Sequence, residues 1–344
     1  MLPIVGTVKL SLGTHDVVDY TLELPELRLC QRFWSLCYGG LRRVLSRATW
    51  NLGMLILAVM PADRPAALRA ERLEPPFERL KALHTPKRPS RPGDWLAEHH
   101  EDGQSFAEFA RSLPLVPTAA RRTIYLQPIG DFSDAQRRVV ALTADYVERF
   151  FGLPVRTREA LPLPAIPAHA RRRHPAWGIQ QLRTTYLLDL LAAHRPADAL
   201  AVLGLTAQDL YPAEDWNFVF GQALPAERVG VWSLYRNGDP SASPSEFRLC
   251  LRRTLTTAVH ELAHLFGIAH CIAWECVMNG SNNAAEKDAR PLWLCPTDLQ
   301  KLCLATGYDP KTHLERLAEF AAANGFAEEA AWLQRAREVV AGAS

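Results

Sequence analysis

The chain has almost no net charge: 39 lysines and arginines against 37 aspartates and glutamates leave a formal +2. That excludes the electropositive surface a nucleic-acid binder needs, and no basic cluster is interleaved with aromatics. The short basic runs Arg171–Arg173 and Arg252–Arg253 read as solvated faces. Long apolar runs are missing as well. The stretch from Leu52 to Pro61 is about half of the roughly 20 residues that cross a bilayer, so no membrane partner is expected. The opening MLPIVGTVKLSLGTHDVV lacks the basic region and apolar core of a secretory leader, and a cytoplasmic location is the expectation. No internal repeat or coiled-coil register is present, and the oligomeric state is open. With 48% hydrophobic and 22% charged residues the composition is that of a globular protein. Its 344 residues suit one core with additions, or two domains.

What is present is concentrated in VHELAHLFGIAHC, residues 259–271. His260 and His264 are four apart, so on a helix both imidazoles leave one face, one turn above the other. Glu261 is not a ligand at that spacing; it stands beside the metal, where it can take a proton from zinc-activated water. Gly267 ends the helix, because glycine adopts the left-handed conformation that turns the chain back. His270 then approaches as third ligand and leaves the fourth tetrahedral position open, as a hydrolytic zinc requires. Chance placement of these five residues is on the order of 10⁻⁴ or less. An ordinary core helix accounts for Leu262, Leu265 and Phe266 but not for the histidines.

Context strengthens the motif. The Gly- and Pro-free stretch 247–258 (FRLCLRRTLTTA) carries apolar residues at helical spacing. Met278 follows eight residues after His270, an order that resembles the metzincin zinc peptidases, where a turn sets a methionine beneath the metal. Here Cys271 follows the third histidine at once, then Cys276, Met278 and Cys295 in LCPTDLQKL. This arrangement resembles the archaemetzincin family, as do GDWLAEHHEDGQSF (93–106), TIYLQPIG (123–130), LYPAEDWNFVFGQA (210–223) and VGVWSLYR (229–236). The resemblance covers roughly residues 90–305. It implies a second, structural zinc held by four cysteines, of which this chain supplies Cys271, Cys276 and Cys295; the fourth position is Asp298. A carboxylate can ligate zinc, and an acidic residue in a helix's first turn is also favoured by orphan amides alone. Cys303 is a rival ligand that a helix from Pro296 would point elsewhere. In a reducing cytoplasm the thiols favour ligation over disulfides. Cys30, Cys37 and Cys250 read as small buried hydrophobes.

Residues 85–94 (TPKRPSRPGD) read as a loop or boundary. Beyond them the patterns predict a strand at RTIYLQPIG, a helix over 133–151 capped by Ser133 and stopped by Gly152, and a short strand at 154–158. They further predict a helix over 178–194, strands at 199–206, 216–223 and 228–236, and a helical tail over 313–340. The expected fold class is α/β (α+β), metzincin-like: a mixed twisted sheet backed by helices, with one active-site helix carrying the histidine motif. Residues 1–115 are expected to pack on a catalytic domain at 116–308, with a helical tail at 309–344. The strand 228–236 is expected to form the cleft rim, where an extended peptide adds as an antiparallel strand.

The function that follows is zinc-dependent hydrolysis of peptide bonds in a peptide or protein substrate, by one catalytic zinc on His260, His264 and His270 with Glu261 as base. Tyr235 near a strand end reads as packing sooner than as a second electrophile. The rival functions are a zinc-stabilised binding module and hydrolysis of a non-peptide amide. An intact Glu261 speaks against the first, since a structural zinc needs no base.

Overall fold

The computed structural model describes residues 6–12, 16–22, 74–112 and 114–342. Contacts divide the chain into residues 1–63 and residues 64–344. The first unit contains an antiparallel pair, β1 (Gly6–Leu12) and β2 (Asp16–Leu22), in the register Gly6↔Leu22. Leu52–Pro61, Cys30 and Cys37 lie outside the described residues.

In the second unit come three short helices, α1 (Pro75–Leu80), α2 (Trp95–Glu98) and α3 (Phe106–Arg111), and then the main sheet. Its strands are β3 (Thr123–Ile129), β4 (Val155–Thr157), β7 (Ala199–Thr206), β9 (Gly221–Leu224) and β10 (Val229–Ser233). Their spatial order is β4-β3-β7-β10-β9. The first four strands in that order run parallel, and β9 pairs antiparallel with β10. A smaller sheet, β5-β6-β8, holds Arg171–Arg173, Gln180–Arg183 and Asp209–Tyr211.

The central strand β7 is buried along its whole length, as a parallel strand covered on both faces must be. Its side chains alternate. Ala201, Leu203 and Leu205 meet the core built by α4 (Asp134–Phe151) and the long helix α6 (Pro244–Leu265). Val202 joins Leu187, Leu188 and Leu191 of α5 (Thr184–Ala193) on the other face. Gly204 is needed on that face, because a Cβ there would lie 2.9 Å from Leu191 Cδ1. Helix α4 begins with a capping box between Ser133 and Gln136 and ends at left-handed Gly152, as the sequence predicts.

Three expectations about strands and helices change. The stretch 178–194 is not one helix: Gln180–Arg183 is strand β6, because residues 171–173 and 209–211 supply a hydrogen-bonding ladder on either side. The strand expected over 216–223 is confined to Gly221–Leu224, and the aromatic residues before it pack ring on ring. The stretch 228–236 is not a rim, since Val229–Ser233 is paired on both sides and β9 holds the edge. The tail is helical as expected, in two helices, α9 (Pro310–Ala323) and α10 (Ala327–Ala341), separated at left-handed Gly325.

Arg172, Arg252 and Arg253 are tertiary connectors, whereas Arg173 is exposed as expected. Arg253 forks onto both carboxylate oxygens of Asp288, Arg252 pairs with Glu329, and Arg172 lies 3.8 Å over the Tyr211 ring. Two more helices complete the unit, α7 (Ala284–Ala289) and α8 (Pro296–Thr306). Among the described residues no helix is long and apolar enough to cross a membrane.

Candidate metal centre

Helix α6 starts with Ser243 capping Glu246 N–H and Pro244 in its first turn, and runs to Leu265. His260 and His264 sit in its last turns with ring centroids 4.6 Å apart. The helix closes as a Schellman turn: Ile268 N–H donates to Ala263 O at 3.1 Å and Gly267 N–H to His264 O at 2.9 Å, with Gly267 at φ +87°. That turn does more than stop the helix. It swings Ile268 O to 2.8 Å from His264 Nδ1 and sends the chain back, so that His270 stands 4.9 Å from His264 and 5.2 Å from His260, ring to ring.

The Nδ1 partners decide which lone pairs face inward. A carbonyl oxygen only accepts, so His264 Nδ1 carries the hydrogen on Ile268 O, and His260 Nδ1 carries it on Val277 O at 2.9 Å. Burial holds both imidazoles neutral: His260 well below the ordinary histidine range, and His264 at about 3. Their bare Nε2 atoms are then 3.1 Å apart with no hydrogen between them. Two ligands about 2.0–2.1 Å from a tetrahedral zinc would be about 3.3 Å apart. The three histidines offer ligand atoms within 4.8 Å of one another, so donor type and spacing both fit that ion.

Glu261 follows His260 and is nearly buried. Burial pushes its carboxyl up to about 7, while Arg290 and Lys287 oppose the rise. Both cations are themselves buried: Lys287 Nζ donates to Asn237 Oδ1 at 2.7 Å and lies 4.2 Å over the Phe220 ring, and Arg290 donates to Ser281 Oγ. Edge strand β9 reaches this carboxylate at Gly221, where a Cβ would stand 2.8 Å from Glu261 Oε1. Only glycine leaves the glutamate its place.

The loop after His270 builds the second cluster. Asn279 braces it, with Nδ2 donating to the carbonyls of Cys271 and Trp274 at 2.8 Å and Oδ1 accepting from Cys276 N–H. Cys271 N–H donates to the carbonyl of buried Met278 at 2.9 Å. Cys271, Cys276, Cys295 and Asp298 converge, all buried, with ligand atoms within 4.8 Å of one another. The Cys271–Cys295 sulfurs are 3.7 Å apart and Cys276 Sγ is 3.5 Å from Asp298 Oδ2. A tetrahedral zinc with bonds of about 2.3 Å to sulfur and about 2.0 Å to oxygen requires about 3.8 and 3.5 Å. The set fits zinc. Hydrogen bonds from Cys276 and Cys295 hold the Cys271 thiol well below the ordinary range, whereas burial raises the other two.

Asp298 is not turned toward the helix amides. Its own N–H goes to Cys295 Sγ, and its carboxylate accepts from Lys301 Nζ at 2.8 Å, a pair buried on both sides. Cys303 is outside the cluster and packs against the main core. Tyr235 is 45% exposed, so the packing expected of it is absent. Contributors that escaped the sequence reading include Glu101, whose Oε1 lies 2.7 Å from His270 Nδ1, and Gly221, Asn279, Lys287, Arg290 and Lys301. A lone acidic residue some 170 positions upstream leaves no spacing signal.

Comparison with known proteins places residues 182–303 in a match to "Peptidase family M54". The chain is 32% identical over 248 residues to human Archaemetzincin-2, covering 63% of this chain and 69% of that protein. It is 33% identical over 256 residues to human Archaemetzincin-1, covering 65% and 51%. Among solved structures it is similar to archaemetzincin from Methanopyrus kandleri at 30% identity and a TM-score of 0.42, over 54% of this chain and 97% of that one. Archaemetzincin from Archaeoglobus fulgidus, complexed with malonate, gives 26% identity and a TM-score of 0.42, over 52% and 99%.

Proposed function

Because the chain belongs to the archaemetzincin family, we propose that it is a zinc-dependent peptidase whose reaction takes place at the His260–His264–His270 cluster, with Glu261 as general base. The observation that carries this reading is the pair of hydrogen-free Nε2 atoms 3.1 Å apart beside a third imidazole, with a near-neutral carboxyl next in sequence. Zinc, when bound, supplies a Lewis acid that polarises a carbonyl and makes water acidic near neutral pH.

The chain's residues do the rest. The hydrogen bonds at Nδ1 of His260 and His264 fix both rings with Nε2 facing the cluster. Glu261 takes a proton from the attacking water on its carboxylate and returns it to the leaving amine, a role suited to a carboxyl near 7. Lys287 and Arg290 oppose the rise that burial imposes on that carboxyl. The edge strand β9 is where an extended peptide can add by backbone pairing, and Gly221 brings that edge up to Glu261. Cys271, Cys276, Cys295 and Asp298 hold a second, structural zinc; Gly267 shapes the turn that returns His270 to His264, and the Met278 carbonyl accepts from Cys271 N–H. Free thiols serving as ligands suit a reducing cytoplasm.

The test is turnover of a peptide library by the zinc-loaded protein, with and without chelator. Glu261→Gln is expected to keep its histidine-bound metal and lose about 10²–10⁴-fold in rate, whereas His264→Ala loses metal and activity together. A folded Glu261→Gln protein without metal, or a zinc-loaded wild type that cleaves no peptide, contradicts the assignment.

A further inference from the structure

The three imidazoles are not held alike. His260 and His264 rest on main-chain carbonyls that the helix and its Schellman turn fix in place. His270 lies beyond that turn, in irregular chain, and its Nδ1 meets a carboxylate: Glu101 Oε1, at 2.7 Å. The same oxygen accepts from Trp95 Nε1 at 2.8 Å, and the indole stands edge-on to the His270 ring, 5.3 Å between centroids. Trp95 is pinned in turn: its N–H donates to both Glu286 oxygens at 2.9 and 3.1 Å, and its ring covers Gly280 so closely that a Cβ there would lie 2.2 Å from it. Gln104 grips the adjoining turn at Gly267 O and Ala269 N.

The second oxygen, Glu101 Oε2, is buried and has no hydrogen-bond partner. A carboxylate so placed is costly unless a cation faces it. The nearest chemistry is the imidazole at its other oxygen, and beyond that ring the histidine cluster.

We propose that Glu101 is the positioning residue for His270: its carboxylate fixes the hydrogen on Nδ1, turns Nε2 toward the cluster and strengthens the third imidazole as a metal ligand. This rests on the reading of His260, His264 and His270 as zinc ligands. The charge matters as well as the hydrogen bond, since a carboxylate behind an imidazole raises its basicity whereas a carbonyl does so less. Loss of such partners costs about 10- to 100-fold in metal affinity. Glu101 therefore carries what the loop cannot, the orientation of the one ligand that no regular element holds.

The experiment titrates wild type, Glu101→Gln, Glu101→Ala and His264→Ala with zinc against a competing chelator, and records the visible bands of the cobalt-substituted proteins. Bands of a site without sulfur report the histidine cluster apart from the thiolates. Thermal melting monitors the fold. Glu101→Gln keeps an acceptor for Nδ1 and loses the charge, so about 10-fold weaker binding is expected, and about 100-fold for Glu101→Ala with altered cobalt bands. Glu101→Gln with wild-type affinity and bands overturns the proposal, and this isosteric variant decides it even if the alanine variant does not fold. Wild-type metal uptake at the sulfur-free site that survives His264→Ala overturns the underlying zinc reading instead.

Discussion

Gly221→Ala is the most informative single change, because it moves the proposed base and touches no ligand. The added Cβ would stand 2.8 Å from Glu261 Oε1 and 3.0 Å from Cδ and Cγ. Ordinary contact begins at 3.4 Å, so the carboxylate must retreat by about 0.6 Å. The obstacle is the free end of a flexible side chain, and Gly221 sits in an edge strand without a left-handed φ, so the fold should yield cheaply. A misplacement of about 1 Å at a reacting group costs about 10²-fold. A shift of about half that predicts roughly a 10-fold fall in kcat, about 1.4 kcal/mol of barrier. Steady-state hydrolysis of a peptide found in the library screen reads kcat, elemental analysis reads zinc, and a melting curve reads stability. Gly204→Ala is the control. Its Cβ would press on Leu191, Ile129 and Val231 within the core, so it should lower the melting temperature and leave kcat alone. Undiminished kcat in Gly221→Ala, at unchanged zinc content, would show that Glu261's position does not set the rate.

Other outcomes follow from the same structure. The folded protein should contain two zinc ions; Cys276→Ser should release one and lower thermal stability, and a count of one that this change leaves untouched would disprove the second site. Asp298→Cys should retain that metal, since a thiolate can replace both the ligand and the negative charge facing Lys301. Asp298→Ala should be far worse, costing on the order of 3–5 kcal/mol because it strands a buried lysine. His313, buried with its Nδ1 on Phe150 O, is held at about 4 against 6.5. The unfolded chain gains a proton on this group below about pH 6.5 and the folded chain only near 4, so the His313 contribution to stability should fall by about 3 kcal/mol as pH drops through that window and be constant above it. Urea melts of His313→Gln should lack that part of the slope; an identical slope refutes the argument. Val231→Pro should prevent folding and not merely weaken peptide binding, because Val231 pairs with Gly204 on one side and Gln222 on the other. A folded, zinc-loaded variant in circular dichroism would contradict the inner placement of β10.

Where local chemistry decides, the chain is legible from its residues. Ser133 writes a helix cap, Gly152 and Gly267 write stops, and ALAVLGLT writes a buried strand. The histidine spacing places two imidazoles on one helical face, and the Cys271–Cys295 pattern with Asp298 names four groups that do converge. Gln180–Arg183 reads as helix because its own residues allow one; only the distant strands β5 and β8 make it a strand. Which strand forms the edge was equally hidden, since β9 and β10 both look apolar and pairing order is a property of the assembled sheet. The same holds for Glu101 on His270 and Gly221 against Glu261: each joins residues far apart along the chain through a side-chain direction that no periodicity encodes. The ligand types and the helix that presents two of them follow from neighbours along the chain, because those neighbours set each helical turn. The tertiary structure alone decided what stands behind those ligands, because burial and hydrogen-bond partners come from segments that meet only when the core closes.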